Sequence, residues 1–305
     1  MPFKVSVVIP TYHRPDYLVE TLQSVFAQTV LPDEILIGDD SRDDITEALV
    51  NNRLMSESPV PIRYFHHNPS LREVANVEFL FAHATGDLVM LLHDDDPIYP
   101  QCLELLRTPF EEHPEIAASF GLQRSIDEKG VPTPNDEDVN KDYFRTPERA
   151  GLVNSYFAGV VAMFPNNAYL IKKDVALSVG YSDNGQAGKA IDFYFGFRLG
   201  KLGKPFYFVN EYTAKSRVLT SSESRGDNAD NDYQSVKILL NEGESAASFP
   251  EFDVLIRSKI PRAITTAAKI KDKRNALKWL FSKYYCGRLL TPRGIKRILL
   301  VLNPF

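Results

Sequence analysis

The sequence predicts an α/β protein built on a doubly wound, mostly parallel, Rossmann-like sheet flanked by helices, and three observations carry that prediction. Short β-branched or wholly apolar runs of strand length recur at residues 5–9, 35–37 and 88–92, with a further strand-length segment, Ile-Arg-Tyr-Phe, at 62–65. Stretches with apolar residues at helical spacing lie between them. Polar or acidic residues follow the three apolar runs. Strands alternating with helices give parallel sheets with right-handed crossovers, and ligands of such sheets lie beyond the carboxyl ends of the strands.

Residues 5–9 form the first strand, which Pro10 is expected to close before a loop at residues 11–15. Leu18, Leu22, Val25 and Phe26 recur at helical spacing, with Asp16 placed to cap the helix. The second strand, 35–37, ends in Gly38-Asp39-Asp40-Ser41; a helix over 44–54 and a third strand over 62–65 follow. A helix over 74–84 leads to residues 88–92, a continuous apolar run of the kind buried on both faces, which ends in His93-Asp94-Asp95-Asp96.

Beyond that point the pattern loosens. Residues 119–151, with Pro132, Pro134 and an acidic stretch, are expected to form a surface loop over the site. Residues 157–171 are strand-like in places, 172–180 form a short helix ended by Gly180, 190–202 a helix beginning beside Asp192, and 205–209 a late strand. The polar residues 220–232 are expected to be a mobile loop. The expected organisation is a first half over 1–118, a second half over 119–220, and a basic helical extension within 221–305.

The 305 residues, 44% apolar and 25% charged, suffice for a sizeable core. Only Cys102 and Cys286 occur, which argues against a disulfide framework and for a reducing, cytoplasmic setting. The opening apolar run is too short for a signal h-region or a membrane span. The net charge of −5 conceals an asymmetry, since residues 251–305 carry 13 Lys or Arg against 3 Asp or Glu. The remainder is strongly acidic, which argues against nucleic acid as a partner.

Three aspartates in a row, Asp94, Asp95 and Asp96, bring carboxylates within a few ångströms, a repulsive arrangement that usually needs a cation. Oxygen ligands suit Mg²⁺ or Mn²⁺, whose shells are completed by substrate phosphates and water. The alternative, a solvated acidic turn, fits poorly with the end of a buried strand beside Asp39 and Asp40. A base to deprotonate an acceptor hydroxyl is still required; Asp192 is the candidate, although an Asp in a first helical turn often only complements the helix dipole. Arg72 and Arg217 could each approach a phosphate, where the ordinary behaviour of such residues is to be solvated. His93, His13, His66 and His67 are expected to be packed or surface residues, and Asn166-Asn167 a turn.

These blocks resemble glycosyltransferase family 2. The segment Val5-Ser6-Val7-Val8-Ile9-Pro10-Thr11-Tyr12-His13-Arg14 is similar to that family's V-S-V-V-I-P-T-Y-N-R start. Residues 34–43 are similar to E-I-I-V-V-D-D-G-S-x-D, with the glycine after the aspartate pair missing. Residues 84–96 are similar to A-x-G-E-Y-I-x-F-L-D-x-D-D, the family's form of the DxD motif, with His93 in place of the first Asp. Weaker similarity runs to about residue 218, where Ile191-Asp192 lies at the expected E-D, with Ile191 replacing the acid.

The resemblance implies a GT-A fold and an inverting, metal-assisted transfer from a nucleotide diphosphate sugar, a UDP-sugar being favoured, to a glycan or lipid-linked acceptor. It implies Asp192 as base and Asp95, with Asp94 and Asp96, at the metal. It also implies Pro10, Thr11, Tyr12, Arg14, Asp39, Asp40, Arg72 and Asp94 around the nucleotide. A sugar nucleotidyltransferase would carry a glycine-rich basic loop after the first strand, which Pro10–Arg14 is not. A catalytically silent nucleotide-sugar-binding module is the remaining alternative, motivated by His93 and Ile191.

In the basic extension Ile295, Ile298, Leu299 and Leu302 recur at helical spacing beside Lys296 and Arg297. This face is expected either to pack on the protein or a partner, packing being the commoner fate of apolar helix faces, or to lie peripherally on the inner face of a membrane.

Overall fold

In chain order a computed structural model has β1 (Val5–Thr11), α1 (Pro15–Phe26), β2 (Glu34–Asp39), α2 (Ile45–Leu49), α3 (Met55–Glu57), β3 (Ile62–His66), α4 (Arg72–His83) and β4 (Leu88–Leu91). Then come α5 (Cys102–Glu112), β5 (Ala118–Ile126), α6 (Asp136–Asp142), β6 (Gly151–Val153), α7 (Ser155–Val160), β7 (Tyr169–Lys172), α8 (Lys173–Val179), α9 (Ile191–Gly200) and β8 (Phe206–Arg217). The last helices are α10 (Glu223–Asn241), α11 (Glu244–Ala247), α12 (Pro250–Lys269), α13 (Lys273–Leu280) and α14 (Pro292–Leu302). Residues 3–134, 136–183, 185–218 and 223–302 are described. The chain divides into one unit of Met1–Asp183 with Phe195–Leu219 and a second of Asn184–Tyr194 with Thr220–Phe305.

The first unit holds a sheet ordered β3-β2-β1-β4-β7-β5-β8-β6. β1, β2, β3 and β4 run parallel, as do β5 and β8, while β7 lies antiparallel to both β4 and β5, and β6 antiparallel to β8. The four strand segments are therefore adjacent in the sheet, and in the three apolar ones Val7, Val8, Ile9, Ile35, Leu36, Ile37 and Leu88 through Leu92 are fully buried, while β3 at the edge is half-buried. Each such side chain contributes roughly 1.5–3 kcal/mol on burial, which is why continuous apolar runs, rather than alternating ones, mark strands covered on both faces.

Buried polar groups lock the crossovers. Glu34 accepts from Ser6 Oγ (2.7 Å), from Thr85 N (2.6 Å) and Oγ1 (2.7 Å), and from Arg63 Nη1 (3.1 Å). Burial raises its pKa, but these donors outweigh it and hold the carboxyl below its ordinary value. At Gly38 a Cβ would collide with Asn76 Oδ1; its absence lets Asn76 Nδ2 reach Gly38 O at 2.8 Å and seat α4 against β2.

Several expectations are corrected. β1 continues through Pro10 to Thr11, because in a parallel pair Pro10 opposite Gly38 sacrifices only one donor. Arg14, not Asp16, precedes α1; Pro15 occupies the first turn and Asp16 lies inside it. The helix over 44–54 is α2 followed by a π-helical turn at Val50–Leu54. Residues 118–126, expected to begin a loop, form β5, whose polar residues are paired: Gln123 N donates to Asn140 Oδ1 (3.2 Å) and Asn140 Nδ2 returns to Gln123 O (2.8 Å). The acidic stretch forms α6, and 155–160 is helical rather than strand-like, with Asn154 Oδ1 capping Phe157 N at 2.9 Å. Helix α8 ends at Gly180 with φ 70°, as its sequence indicates.

In the second unit α10 replaces most of the expected loop; residues 220–222 of that segment lie outside the described residues. Packing overrules polar composition here, because Tyr233, Val236 and Leu239 are buried at helical spacing. Tyr233 Oη donates to Asp272 Oδ2 (2.6 Å), its ring meets Trp279 edge-on at 5.6 Å, and Lys259 Nζ pairs with the buried Asp232 (2.9 Å). Of the alternatives for the α14 stripe, packing on the protein itself is the one corrected. The side that packs is Gly294, Arg297 and Val301, with Arg297 donating to Pro261 O (2.9 Å) and Tyr285 Oη (3.0 Å), whereas Ile295, Leu299 and Leu302 face outward at 49%, 66% and 62% exposure. Among the described residues no helix is long and apolar enough to cross a membrane. Cys102 is buried, Cys286 is exposed, and both are free thiols.

Candidate active site

Parallel pairing carries the ends of β1, β2 and β4 to one rim of the sheet, and the polar residues that end them meet there. Asp40 N donates to Thr11 O at 3.0 Å, extending the β1–β2 ladder by one step. Asp39 is fully buried and accepts from Ser41 N (2.8 Å) and Tyr64 Oη (2.6 Å). Burial and the Asp39 carboxylate push the Tyr64 hydroxyl well above its ordinary pKa, so it remains a donor. Asp40 Oδ1 accepts from Leu71 N at 2.9 Å, fixing the start of α4 beside it. Arg72, next in sequence, is exposed with φ 65°.

The aspartate run has three different environments. Asp94 accepts from Thr11 Oγ1 (2.7 Å) and, through its backbone carbonyl, from Thr21 Oγ1 (2.9 Å). Arg14 Nη1 lies 3.4 Å from Asp94 Oδ1 and 3.0 Å from Asp95 Oδ2, bridging the two carboxylates. Burial first and the neighbouring Asp95 second raise Asp94 to about 6. Burial and Asp96 likewise raise Asp95, and the carboxylates hold the Arg14 guanidinium above its ordinary value despite its own partial burial. Asp96 is pinned, accepting from Arg217 N (2.6 Å) and Asn167 Nδ2 (2.8 Å).

A divalent cation fits the side chains present. His93, Asp95 and Asp96 each offer one ligand atom within 4.8 Å of the others, a set of two carboxylates and an imidazole that suits Mn²⁺ or Mg²⁺. Asn167 is fully buried and its Oδ1 has no hydrogen-bond partner, leaving a further oxygen beside Asp96. The repulsion from Asp96, which adds to burial in raising Asp95, is what a cation would relieve.

Thr11, Arg14, Asp94 and Asp95 are thus in direct contact, Asp96 follows in the same loop on its own partners Arg217 and Asn167, and Asp39 and Asp40 are joined to the group through the Thr11 backbone. Pro10 is half-buried in β1, and Tyr12 is 49% exposed with its ring 4.4 Å from that of His13. Asp192 sits half-buried in the first turn of α9, in the second unit.

For Arg217 and Asn167 the sequence suggests a solvated arginine and a turn residue, and the structure corrects both. The Arg217 side chain is 1% exposed and pairs with Glu20 Oε2 (2.6 Å). It also donates to Asp95 O (2.9 Å), Asp127 O (3.2 Å) and Glu128 O (3.1 Å), and lies over the Tyr17 ring at 4.8 Å. His93 is packed and hydrogen-bonded as expected, 3.3 Å from Asn167 Nδ2, and also contributes to the metal-competent set.

Residues 6–170, which contain the whole aspartate cluster, match the model of glycosyl transferase family 2. The chain belongs to that family. Among named family relatives, the hyaluronan synthase of Pasteurella multocida is 26% identical over 262 residues, 84% of this chain and 25% of that protein. The GalNAc(5)-diNAcBac-PP-undecaprenol beta-1,3-glucosyltransferase of Campylobacter jejuni is 30% identical over 164 residues, 50% of this chain and 51% of that protein. The chain thus spans about half or less of the length of these relatives. The fold is that of solved GT-A glycosyltransferases. The mannosyltransferase PcManGT of Pyrobaculum calidifontis, in complex with GDP-Man and Mn²⁺, gives a TM-score of 0.63 at 14% identity over 100% of this chain and 89% of that one. Residues 1–349 of TarS from S. aureus, in complex with UDP, give 0.63 at 14% over 98% and 88%.

Proposed function

We propose that this protein is an inverting glycosyltransferase that moves a sugar from a nucleotide diphosphate to a hydroxyl of a glycan or lipid-linked acceptor. The observation that carries the reading is the cross-link of Thr11, Arg14, Asp94 and Asp95 at the carboxyl rim, beside Asp39 and Asp40. It leaves two buried carboxylates, Asp95 and Asp96, with the half-buried imidazole of His93 at the edge where α/β sheets bind nucleotides. Residues 1–118 form the donor half and residues 119–220 the acceptor half.

In this reading Asp39 and Asp40 receive the base and ribose, with Pro10, Thr11 and Tyr12 bordering them, and Arg14 and Arg72 serve the phosphates. Asp95, with Asp96 and Asp94, holds Mn²⁺ or Mg²⁺, which when bound supplies Lewis-acid stabilisation of the departing nucleotide diphosphate. Asp192 takes the proton of the acceptor hydroxyl as that oxygen attacks the anomeric carbon from the face opposite the leaving group. A UDP-sugar is the favoured donor, supported by the UDP complex of the TarS fragment, while GDP-Man in PcManGT supports GDP as the competitor. The names of the Pasteurella and Campylobacter relatives support a polysaccharide or polyprenol-linked acceptor.

The test is a screen of UDP- and GDP-sugars for turnover dependent on Mn²⁺, as hydrolysis and as transfer to glycan and polyprenol-linked acceptors, repeated with Asp192→Asn. We expect one donor class to be turned over, and the variant to keep nucleotide affinity while losing transfer by a hundredfold or more, the order expected of a missing general base. Binding of every nucleotide sugar with no turnover would instead make the chain a silent module, and undiminished transfer by Asp192→Asn would remove the proposed base.

A further inference from the structure

Helix α14 is built in an unusual sense. Its inward side is a glycine, an arginine and a valine, and its outward side carries the large apolar residues Ile295, Leu299 and Leu302, one every turn. Gly294 permits this seating, since a Cβ there would collide with the carbonyls of Arg288 and Leu289. Just before the helix, Leu290 is 93% exposed. Helix α13 repeats the pattern: Ala276, Trp279 and Leu280 are buried, while Leu277 and, one turn on, Phe281 are exposed at 37% and 63%. Leaving so many large apolar side chains in water is costly unless something covers them.

The charge around these residues says what would cover them. Residues 273–302 contain eight Lys or Arg and no Asp or Glu. Lys273, Arg274 and Lys278 are exposed on α13, as are Arg293 and Lys296 on α14, with Arg288 exposed between the helices. On α14, Lys296 follows Ile295 and flanks the stripe, while Arg297 is turned inward to Pro261 and Tyr285. An apolar stripe bordered by cations matches the boundary of a bilayer with anionic headgroups, where the side chains enter the acyl region and the cations meet phosphates.

We propose that the outward faces of α13 and α14 dock this protein reversibly on an anionic lipid surface. Two short stripes give attachment of the strength of a single acyl chain, which needs the electrostatic contribution to hold and is therefore weakened by salt. The surface requires neither donor nor acceptor, so its test is independent of the catalytic reading.

The experiment is flotation of the full chain with vesicles of phosphatidylcholine alone and with about 30% phosphatidylglycerol, in low and in high salt. The wild type should float with the anionic vesicles at low salt, remain behind with the neutral ones, and be released by high salt. Leu299→Ser with Leu302→Ser, and separately Arg293→Gln with Lys296→Gln, should each lower the bound fraction roughly tenfold or more. All four positions are exposed, so thermal unfolding and nucleotide binding should be unchanged and a folding defect can be recognised. Equal flotation with both vesicle types, or anionic binding untouched by the leucine substitutions, would overturn the proposal. So would self-association on sedimentation that is abolished by Leu299→Ser in a chain that binds no vesicles, because the stripe would then belong to a second copy.

Discussion

The backbone N–H of Arg217 donates to Asp96 Oδ1 at 2.6 Å, joining the end of β8 to the loop after β4 across 121 residues of sequence. The side chain of the same residue holds Asp95 O and Glu20. The acidic run is therefore held by the β8 backbone and by a guanidinium buried out of reach of water.

Replacing Arg217 should accordingly be costly. Arg217→Ala leaves buried carbonyls without donors, a loss of about 3–5 kcal/mol, and should lower the melting temperature by roughly ten degrees. Arg217→Lys keeps a charge for Glu20 but loses the planar fork, and should recover only part of the stability. Full recovery by lysine in a thermal melt would show that the fork is not needed.

Asp96 should combine a structural role with its place at the metal, whereas Asp95 should serve binding alone. Asp96 already accepts from Arg217 and Asn167, so Asp96→Ala should lower stability by about 2 kcal/mol or more before any ligand is added. Asp95→Ala should leave the melting temperature nearly unchanged and remove Mn²⁺-dependent nucleotide binding by calorimetry. The reverse pattern would exchange the two roles.

Asp94 gives a pH dependence with a definite sign. Its folded pKa, about 6, stands above the ordinary 3.8, so the folded state holds a proton that the unfolded chain has released. The associated stability is fully present below pH 4 and is lost as pH rises through 6, amounting to up to about 3 kcal/mol. Asp94→Asn should therefore gain stability relative to wild type as pH rises from 4 to 7, in metal-free buffer. Over the same window protons cease to compete for the cluster, so stabilisation of the wild type by Mn²⁺ should grow. A constant difference between the two proteins across this range would contradict the assignment.

Tyr64→Phe removes the donor to Asp39 Oδ2 without changing the ring. Nucleotide affinity should fall about fivefold, the worth of one hydrogen bond, with little effect on Mn²⁺ binding in the absence of nucleotide. Isothermal titration with UDP checks this, and an unchanged affinity would mean that Asp39 is oriented by Ser41 alone.

Strands β1, β2 and β4 are legible in the sequence because residues such as Val7, Leu36 and Val89 are buried on both faces, and a short, largely apolar run between polar loops fits a covered strand better than a helix; β3 is half-buried along its length and is marked only by its short strand-like segment between helical stretches. Strand β5 is hidden because Gln123, Arg124 and Ser125 interrupt its pattern; their partners come from α6 and β8, which no local window contains. Helix α10 is hidden for a related reason, since only the spacing of Tyr233, Val236 and Leu239 opposes its polar composition. At the site, Asp39, Asp40 and the Asp94–Asp96 run stand out because each ends an apolar run. Arg217 and Asn167 do not, because their importance lies in backbone carbonyls and a carboxylate supplied from more than 70 residues away. On α14 the periodicity of the stripe is plain, but which side faces inward depends on how closely Gly294 approaches its neighbours.

Because the last clasp on the aspartate loop is made by β8, the acidic rim is completed late in synthesis. A nascent polypeptide that has emerged only through β7 can already pair β1, β2 and β4, yet its acidic loop has no Arg217 to close on. Nucleotide capture should consequently be acquired abruptly, when β8 zips alongside β5, rather than growing in step with the sheet.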